Sequence, residues 1–467
     1  MIEDHCAPAP LQTFRDPAGS LEFKEHSVLR SVFPKAKEQA LDILSSGFYK
    51  KGRERREIVD SQICEATARG GMTLEHPRVF FPSYCWEWAP AQWVAAGTLT
   101  LQICEAALDE GWILKDATPL NVLFEGSAPL FVDVLSFERR GPRSPIWTAQ
   151  AQFIRTFLLP LIARRWLGWP LAGSLARRDG ITPDELLPGM PWLALMRPML
   201  FRNVLLPALL ERRTRVTEET IEAAKSRAFD PEIATALLKR MLRSLRTQLQ
   251  EASGGLEDSR WKHYQENLSH YLDTDQQDKQ RFVEECLERL HPAAVLDVGT
   301  NTGFYALLAA RSGARVVAID TDVASVEMLC RTAQSAGADV QALVVNLARP
   351  TPAVGWQCRE QLSFLDRAAT RFDLVLMLAV IHHLLLTEQI PLHHIAKLCS
   401  ELTRRWLILE WVPSDDPMFR QLLRGRAALY DHLSVDELLG AMSGYFRMER
   451  MRALANGRIL YLFEKIA

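Results

Sequence analysis

Residues Val295-Leu296-Asp297-Val298-Gly299-Thr300-Asn301-Thr302-Gly303-Phe304 run from an apolar stretch through an acid into a Gly-x-Asn-x-Gly turn. After an Ala/Leu-rich stretch, Val316-Val317-Ala318-Ile319-Asp320 repeats the apolar run closed by an acid, 23 residues after the first. Strand, glycine turn, helix and second strand in that order predict a βαβ unit, which holds a nucleoside-bearing cofactor at the carboxyl ends of parallel strands. Gly299 is expected to turn the backbone sharply off the strand, and Gly303 to let the helix start pack close to the cofactor. Asn301 stands where many such turns carry a third glycine, and Asn is among the few other residues that tolerate a left-handed backbone. Asp297 is placed to meet an ammonium group, directly or through water, and Asp320 to accept hydrogen bonds from two ribose hydroxyls. Asn346, closing a third strand, is expected to contact the adenine. An acid aimed at an ammonium suits the zwitterionic end of S-adenosylmethionine better than a pyrophosphate, so S-adenosylmethionine is the expected cofactor.

Working outward, the C-terminal half alternates strand and helix signals. Strands are expected at 294–298, 314–319, 340–345, 374–378, 406–410, 447–454 and 458–463, with a helix from 261 to about 290 ahead of them. Asn456-Gly457 between the last two strands is a tight hairpin signal. Ser434-Val435-Asp436-Glu437 reads as a capping box opening the preceding helix. The expected fold is α/β: a doubly wound Rossmann-like sheet ending in an antiparallel hairpin strand, preceded by a mostly helical α+β N-terminal domain.

Three stretches, Leu296 to Gly303, Ala318 to Asp320 and Phe372 to His383, carry a resemblance to the class I S-adenosylmethionine-dependent methyltransferases over roughly 261–467. In that family the matching positions bind the amino-acid end and the ribose of the cofactor.

Phe372 to Leu378 reads as a buried strand, and His382-His383 leaves its carboxyl end, where chemistry gathers in a doubly wound sheet. Methyl transfer needs the acceptor aligned and water excluded, and a hydroxyl acceptor must also lose its proton. His382 or His383 is the candidate base, and Glu410, ending the next strand, is the other polar group expected to face the pocket. The alternatives are histidines that cap a strand-to-helix turn and a carboxylate bonded to turn amides. His393-His394 lacks the i, i+4 spacing and carboxylate partner of a zinc site, so no metal is expected. Tyr264 and Tyr271 share a helix face, as lid residues or as ordinary packing.

The N-terminal half opens on two weak strand signals, at 11–14 and 20–23. Further on, Trp112 to Phe124 and Leu130 to Ser136 place Asp116 five residues before Asn121 and Asn121 twelve before Asp133. That spacing resembles a protein-kinase catalytic loop followed by its metal-binding Asp. Lys115 stands in place of the usual Arg, Val134-Leu135 replaces Phe-Gly, and no glycine-rich phosphate loop is recognisable. A degenerate kinase-like domain, an active phosphotransferase using Asp116, Asn121 and Asp133, and an unrelated hairpin all remain open. Together with Pro82 to Trp88 and the second half, these motifs resemble a family of bacterial two-part methyltransferase-like proteins that includes a rhizobial host-specific nodulation protein. That resemblance implies modification of a nodulation signal or another surface glycan.

The chain has 467 residues, 55 Lys and Arg against 57 Asp and Glu, and a formal net charge of −2, so no overall basicity points to nucleic acid. Eight scattered cysteines without a Cys-x-x-Cys pair argue for buried thiols in a reducing compartment. The N-terminus lacks the pattern of a signal peptide. No stretch reaches 18 uninterrupted apolar residues, which predicts no transmembrane span. The arginine-rich region from Arg139 to Arg246 leaves peripheral membrane contact open. The polar seam at 251–259 suggests an accessory domain over 1–250, a linker over 251–260 and a methyltransferase domain over 261–467. The expectation is a cytoplasmic methyltransferase acting on a sugar or other small polar acceptor. A bifunctional kinase/methyltransferase and a non-catalytic cofactor-binding regulator are the rivals.

Overall fold

The computed structural model describes residues 13, 15–66, 70–211, 229–254, 274–423, 425, 429–430 and 433–466. The chain forms two compact units that part at Gly255. Tyr264, Tyr271, Cys6, the first thirteen residues of the expected helix from 261 and most of the expected strand at 11–14 lie outside the described residues.

The N-terminal unit opens with a four-stranded antiparallel sheet in the order β1-β2-β4-β3, formed by β1 (Gly19–Phe23), β2 (Ser27–Val32), β3 (Gln62–Ala66) and β4 (Met72–Pro77). The sequence indicates only β1 here. β3 and β4 have few apolar residues, broken by Glu and His, so their period-2 signal is weak. The helix Pro90–Leu108 follows, with Pro90 in its first turn, where a missing N–H costs nothing. It is apolar nearly all round, which suits only a central helix. Against it packs the helix Pro231–Ser253, which buries Leu238, Leu242, Leu245 and Leu249 along one face at helical spacing. Each such leucine contributes about 1.5–3 kcal/mol through burial. Two small antiparallel pairs complete the unit: β5 (Trp112–Leu114) with β8 (Phe137–Arg139), and β6 (Val122–Glu125) with β7 (Ala128–Phe131).

The C-terminal unit is built on a seven-stranded sheet in the order β11-β10-β9-β12-β13-β15-β14. Its strands are β9 (Ala294–Val298), β10 (Arg315–Asp320), β11 (Val340–Val344), β12 (Phe372–Met377), β13 (Thr403–Trp411), β14 (Phe446–Ala453) and β15 (Ile459–Lys465). The first five run parallel, and β15 lies antiparallel to both β13 and β14. β9 is buried along its whole length, as expected of a central parallel strand covered on both faces. The register sets Asp297 beside Ala318 of β10 and Leu376 of β12. Because β15 is reversed, its first residue pairs with the last of β13 (Ile459 with Trp411), so the Asn456-Gly457 turn comes to the edge where the parallel strands end.

Candidate functional site

The carboxyl edge of the sheet brings together Asp320, Asp297 and Glu410 on β10, β9 and β13, with Asn346 two residues past β11 and His382 in the helix Ile381–Leu386 that follows β12. The turn after β9 is left-handed at Gly299 (φ 67°), Asn301 (φ 51°) and Gly303 (φ 85°). A Cβ on Gly299 would lie 2.5 Å from Val380 Cγ2, so the glycine admits the turn leaving β12. Gly303 is also tightly packed. Its missing Cβ makes room for Leu329 Cδ1, only 2.1 Å from where that atom would stand, so the glycine serves helix packing behind the turn.

Asp297 is 3% exposed and accepts a hydrogen bond from Thr300 Oγ1 at 2.6 Å. Burial pushes its carboxyl up to about 7, opposed by the Thr300 hydroxyl and the charge of Lys279, with Asp320 adding to the rise. Asp320 Oδ2 accepts the Asn301 amide at 2.8 Å and Oδ1 the Asp322 amide at 2.9 Å. Both oxygens keep lone pairs for a ribose. Asn346 Oδ1 caps its own turn by accepting from Ala348 N at 2.9 Å, which leaves its amide NH2 to meet a base.

At the other end of the edge, Glu410 is 1% exposed and lies between two cations. Lys279, on the helix Thr274–Leu290, pairs with its Oε2, and Arg458 Nη1 reaches Oε1 at 3.3 Å. Arg458 Nε also donates to Asp416 Oδ2 at 2.8 Å. Glu410 is thus held by side-chain cations, where the sequence had suggested turn amides as the alternative. The Lys279 ammonium stands 5.3 Å from the centre of the Tyr305 ring, and the Tyr305 hydroxyl is buried without a partner. Neither Lys279 nor Arg458 stands out in the sequence. The only signal is that Arg458 directly follows the Asn456-Gly457 turn.

His382 is 2% exposed, and its Nδ1 has no hydrogen-bond partner. Burial, followed by the neighbouring His383 and Arg458, pushes its pKa down to about 4, so the ring is neutral at physiological pH. His383 is exposed and is also lowered by burial, against the pull of Asp320. The two rings lie 4.3 Å apart, with their planes tilted by 41°. The turn that delivers them holds Ala379 at φ 56°, a left-handed position without glycine. His393 and His394 sit on the helix Leu392–Leu402, and no cluster of metal-ligating side chains occurs among the described residues.

In the N-terminal unit Asp116, Asn121 and Asp133 do converge. Asn121 Nδ2 donates to the Asp116 carbonyl at 3.4 Å and to Ser136 Oγ at 3.1 Å, and Ser136 in turn donates to Asp133 Oδ2. Arg30 of β2, which sequence reading passes over, donates from Nη1 to Asp133 Oδ1 at 2.7 Å. Burial works to raise the Asp133 carboxyl, but Arg30 and the Ser136 hydroxyl outweigh it and hold it below the usual range. Asp116 is raised by burial, and its Oδ1 has no partner.

Residues 264–440, which carry strands β9 to β13 and the acids on β9 and β10, match the family model of a methyltransferase domain. The matched residues lie within the C-terminal unit. Over nearly its whole length the chain is similar to the nodulation protein NoeA of Rhizobium meliloti strain 1021, at 28% identity across 98% of this chain and 97% of that one. Among solved structures it is similar to the N-methyltransferase NodS of Bradyrhizobium japonicum WM9 in complex with S-adenosyl-L-homocysteine. That match has 11% identity and a TM-score of 0.32, covering 42% of this chain and 89% of NodS. The bifunctional kinase-methyltransferase WbdD is similar at 19% identity and a TM-score of 0.30, covering 41% of this chain and 40% of that chain.

Proposed function

We propose that the chain methylates a hydroxyl of a sugar or similar small polar acceptor, with the N-terminal unit selecting or holding that acceptor. S-adenosylmethionine supplies the methyl group on a sulfonium that is already a good leaving group. Asp297 would hold its ammonium, Asp320 its ribose and Asn346 its adenine, with Gly299, Asn301 and Gly303 shaping the turn. The observation that carries the reading is His382 Nδ1, a buried, neutral and unpartnered acceptor in the first turn of the helix that follows β12. A hydroxyl could donate to that nitrogen and pass its proton there as the oxygen is methylated. The exposed His383, within electrostatic reach of Asp320, is better placed to border the cofactor.

Similarity to a protein named for nodulation makes a nodulation-linked surface glycan the first acceptor class to try. Phosphoryl transfer by the N-terminal unit is disfavoured because the Arg30 guanidinium occupies the Asp133 oxygen that a metal would need. Among the described residues no helix is long and apolar enough to cross a membrane. We place the reaction in the cytoplasm. Trp192, Leu193 and Met196, exposed beside Arg197 and Arg202, are the face for any peripheral membrane contact. The test is methyl-labelled S-adenosylmethionine with the purified chain and fractionated cell extract. Label in a carbohydrate fraction, lost in His382→Ala, supports the reading; label confined to protein, lipid or nucleic acid overturns it.

A further inference from the structure

Lys279 is assigned no part in the reading above, yet its ammonium lies where two demands meet. It pairs with the buried Glu410, and its charge acts on Asp297. S-adenosylmethionine carries its ammonium and its carboxylate on the same carbon. If Asp297 takes the ammonium, the carboxylate falls within a few ångströms of it and needs a cation there. Lys279 is held there by geometry: its ammonium pairs with Glu410 and stands 5.3 Å from the centre of the Tyr305 ring, two residues past the glycine turn, and its charge is felt at Asp297.

We propose that Lys279 is the cofactor's carboxylate partner and that Glu410 competes for it until the cofactor arrives. Resting on the reading of this unit as S-adenosylmethionine-binding, the proposal makes the Lys279–Glu410 pair a latch. Two carboxylates sharing one ammonium repel each other, so cofactor binding must weaken the hold of Glu410 on Lys279. Glu410 does not become an orphaned buried charge, because Arg458 remains on its other oxygen at 3.3 Å and is itself steadied by Asp416. The freed Oε2 then becomes an acceptor for a donor on the incoming substrate, which imposes an order: cofactor first, acceptor second. The latch also lowers apparent cofactor affinity, since part of the population holds Lys279 elsewhere.

The experiment is calorimetric titration of the full chain at pH 8 with S-adenosylhomocysteine and with 5′-methylthioadenosine, which lacks the amino-acid end. Lys279→Ala should weaken S-adenosylhomocysteine roughly tenfold to a hundredfold, the range for a charge-assisted hydrogen bond, and leave methylthioadenosine unchanged. Glu410→Gln should tighten S-adenosylhomocysteine about threefold or more and again leave methylthioadenosine unchanged. Equal losses of both ligands in Lys279→Ala would reveal a structural role and overturn the proposal. So would unchanged or weaker S-adenosylhomocysteine binding in Glu410→Gln, which would make Glu410 a scaffold for Lys279 and not its competitor. If the unsubstituted chain binds neither ligand, the reading of the unit as a cofactor site fails first.

Discussion

Arg30 Nη1 donates to Asp133 Oδ1 over 2.7 Å, tying β2 to the turn after β7 and placing a fixed positive charge where a kinase-like loop would hold a metal. Arg30 has a side-chain exposure of 7% and Asp133 of 22%, so removing one partner strands a largely buried charge. Arg30→Met should therefore cost about 3 kcal/mol of stability, readable as a lowered denaturant midpoint. The Asp133 carboxyl is depressed in the fold. The pair's contribution is thus complete above the unfolded-state pKa and lost as pH falls through the folded one, so the wild-type advantage over Arg30→Met should shrink in acid. Mg²⁺ and ATP should leave the melting temperature of the full chain unchanged; a clear rise would show that the guanidinium yields its place to a metal.

Gly299 and Val380 interlock between two strand ends. Gly299→Ala must fit a methyl 2.5 Å from Val380 Cγ2 at a φ of 67°. It should lose about 2–3 kcal/mol of stability and most S-adenosylhomocysteine affinity. Adding Val380→Ala should restore part of the stability, the signature of a steric cause in a double-mutant cycle.

Cofactor binding should be linked to protons through Asp297. With the carboxyl at about 7 in the free chain, the ammonium of the ligand favours the ionised form. Binding below that pH therefore releases a proton, and affinity should fall by up to about tenfold per pH unit on the acid side while levelling off above it. Titrations in buffers of different ionisation enthalpy would count the proton. Asp297→Asn should bind weakly with a flat profile.

Ala379 has a φ of 56° in the turn that launches His382 and His383. Left-handed backbone costs a residue with a Cβ about 1–2 kcal/mol, so Ala379→Gly should stabilise the chain by about 1 kcal/mol, less the glycine's greater unfolded-state freedom. A denaturant series with unchanged m-value would check it.

The parallel strands were legible because each is a short apolar run closed by an acid or a turn. β9 was placed residue for residue, at Ala294–Val298. Asn301 betrayed its left-handed turn through its residue type. The charges that govern the edge were not legible. Lys279 and Arg458 are ordinary polar residues on a helix and after a hairpin turn, and their meeting at Glu410 spans 131 and 48 residues of sequence. Arg30 was hidden in the same way, 103 residues from Asp133. Periodicity reports burial along a segment, whereas ion pairs between distant segments leave no local pattern. In the N-terminal sheet, β3 and β4 were missed for a simpler reason: strands so short and polar carry little alternation to read.

The reversal of β15 has a consequence for the gene. The tip of the β14–β15 hairpin delivers Arg458 to Glu410 and Asp416, so the pairing of the buried Glu410 depends on that hairpin. A stop codon or frameshift a few residues after Leu454 would spare every acid of the cofactor turn yet leave Glu410 buried without its guanidinium. Such an allele would lose β15 and the Arg458–Glu410 pair together and would behave as a null.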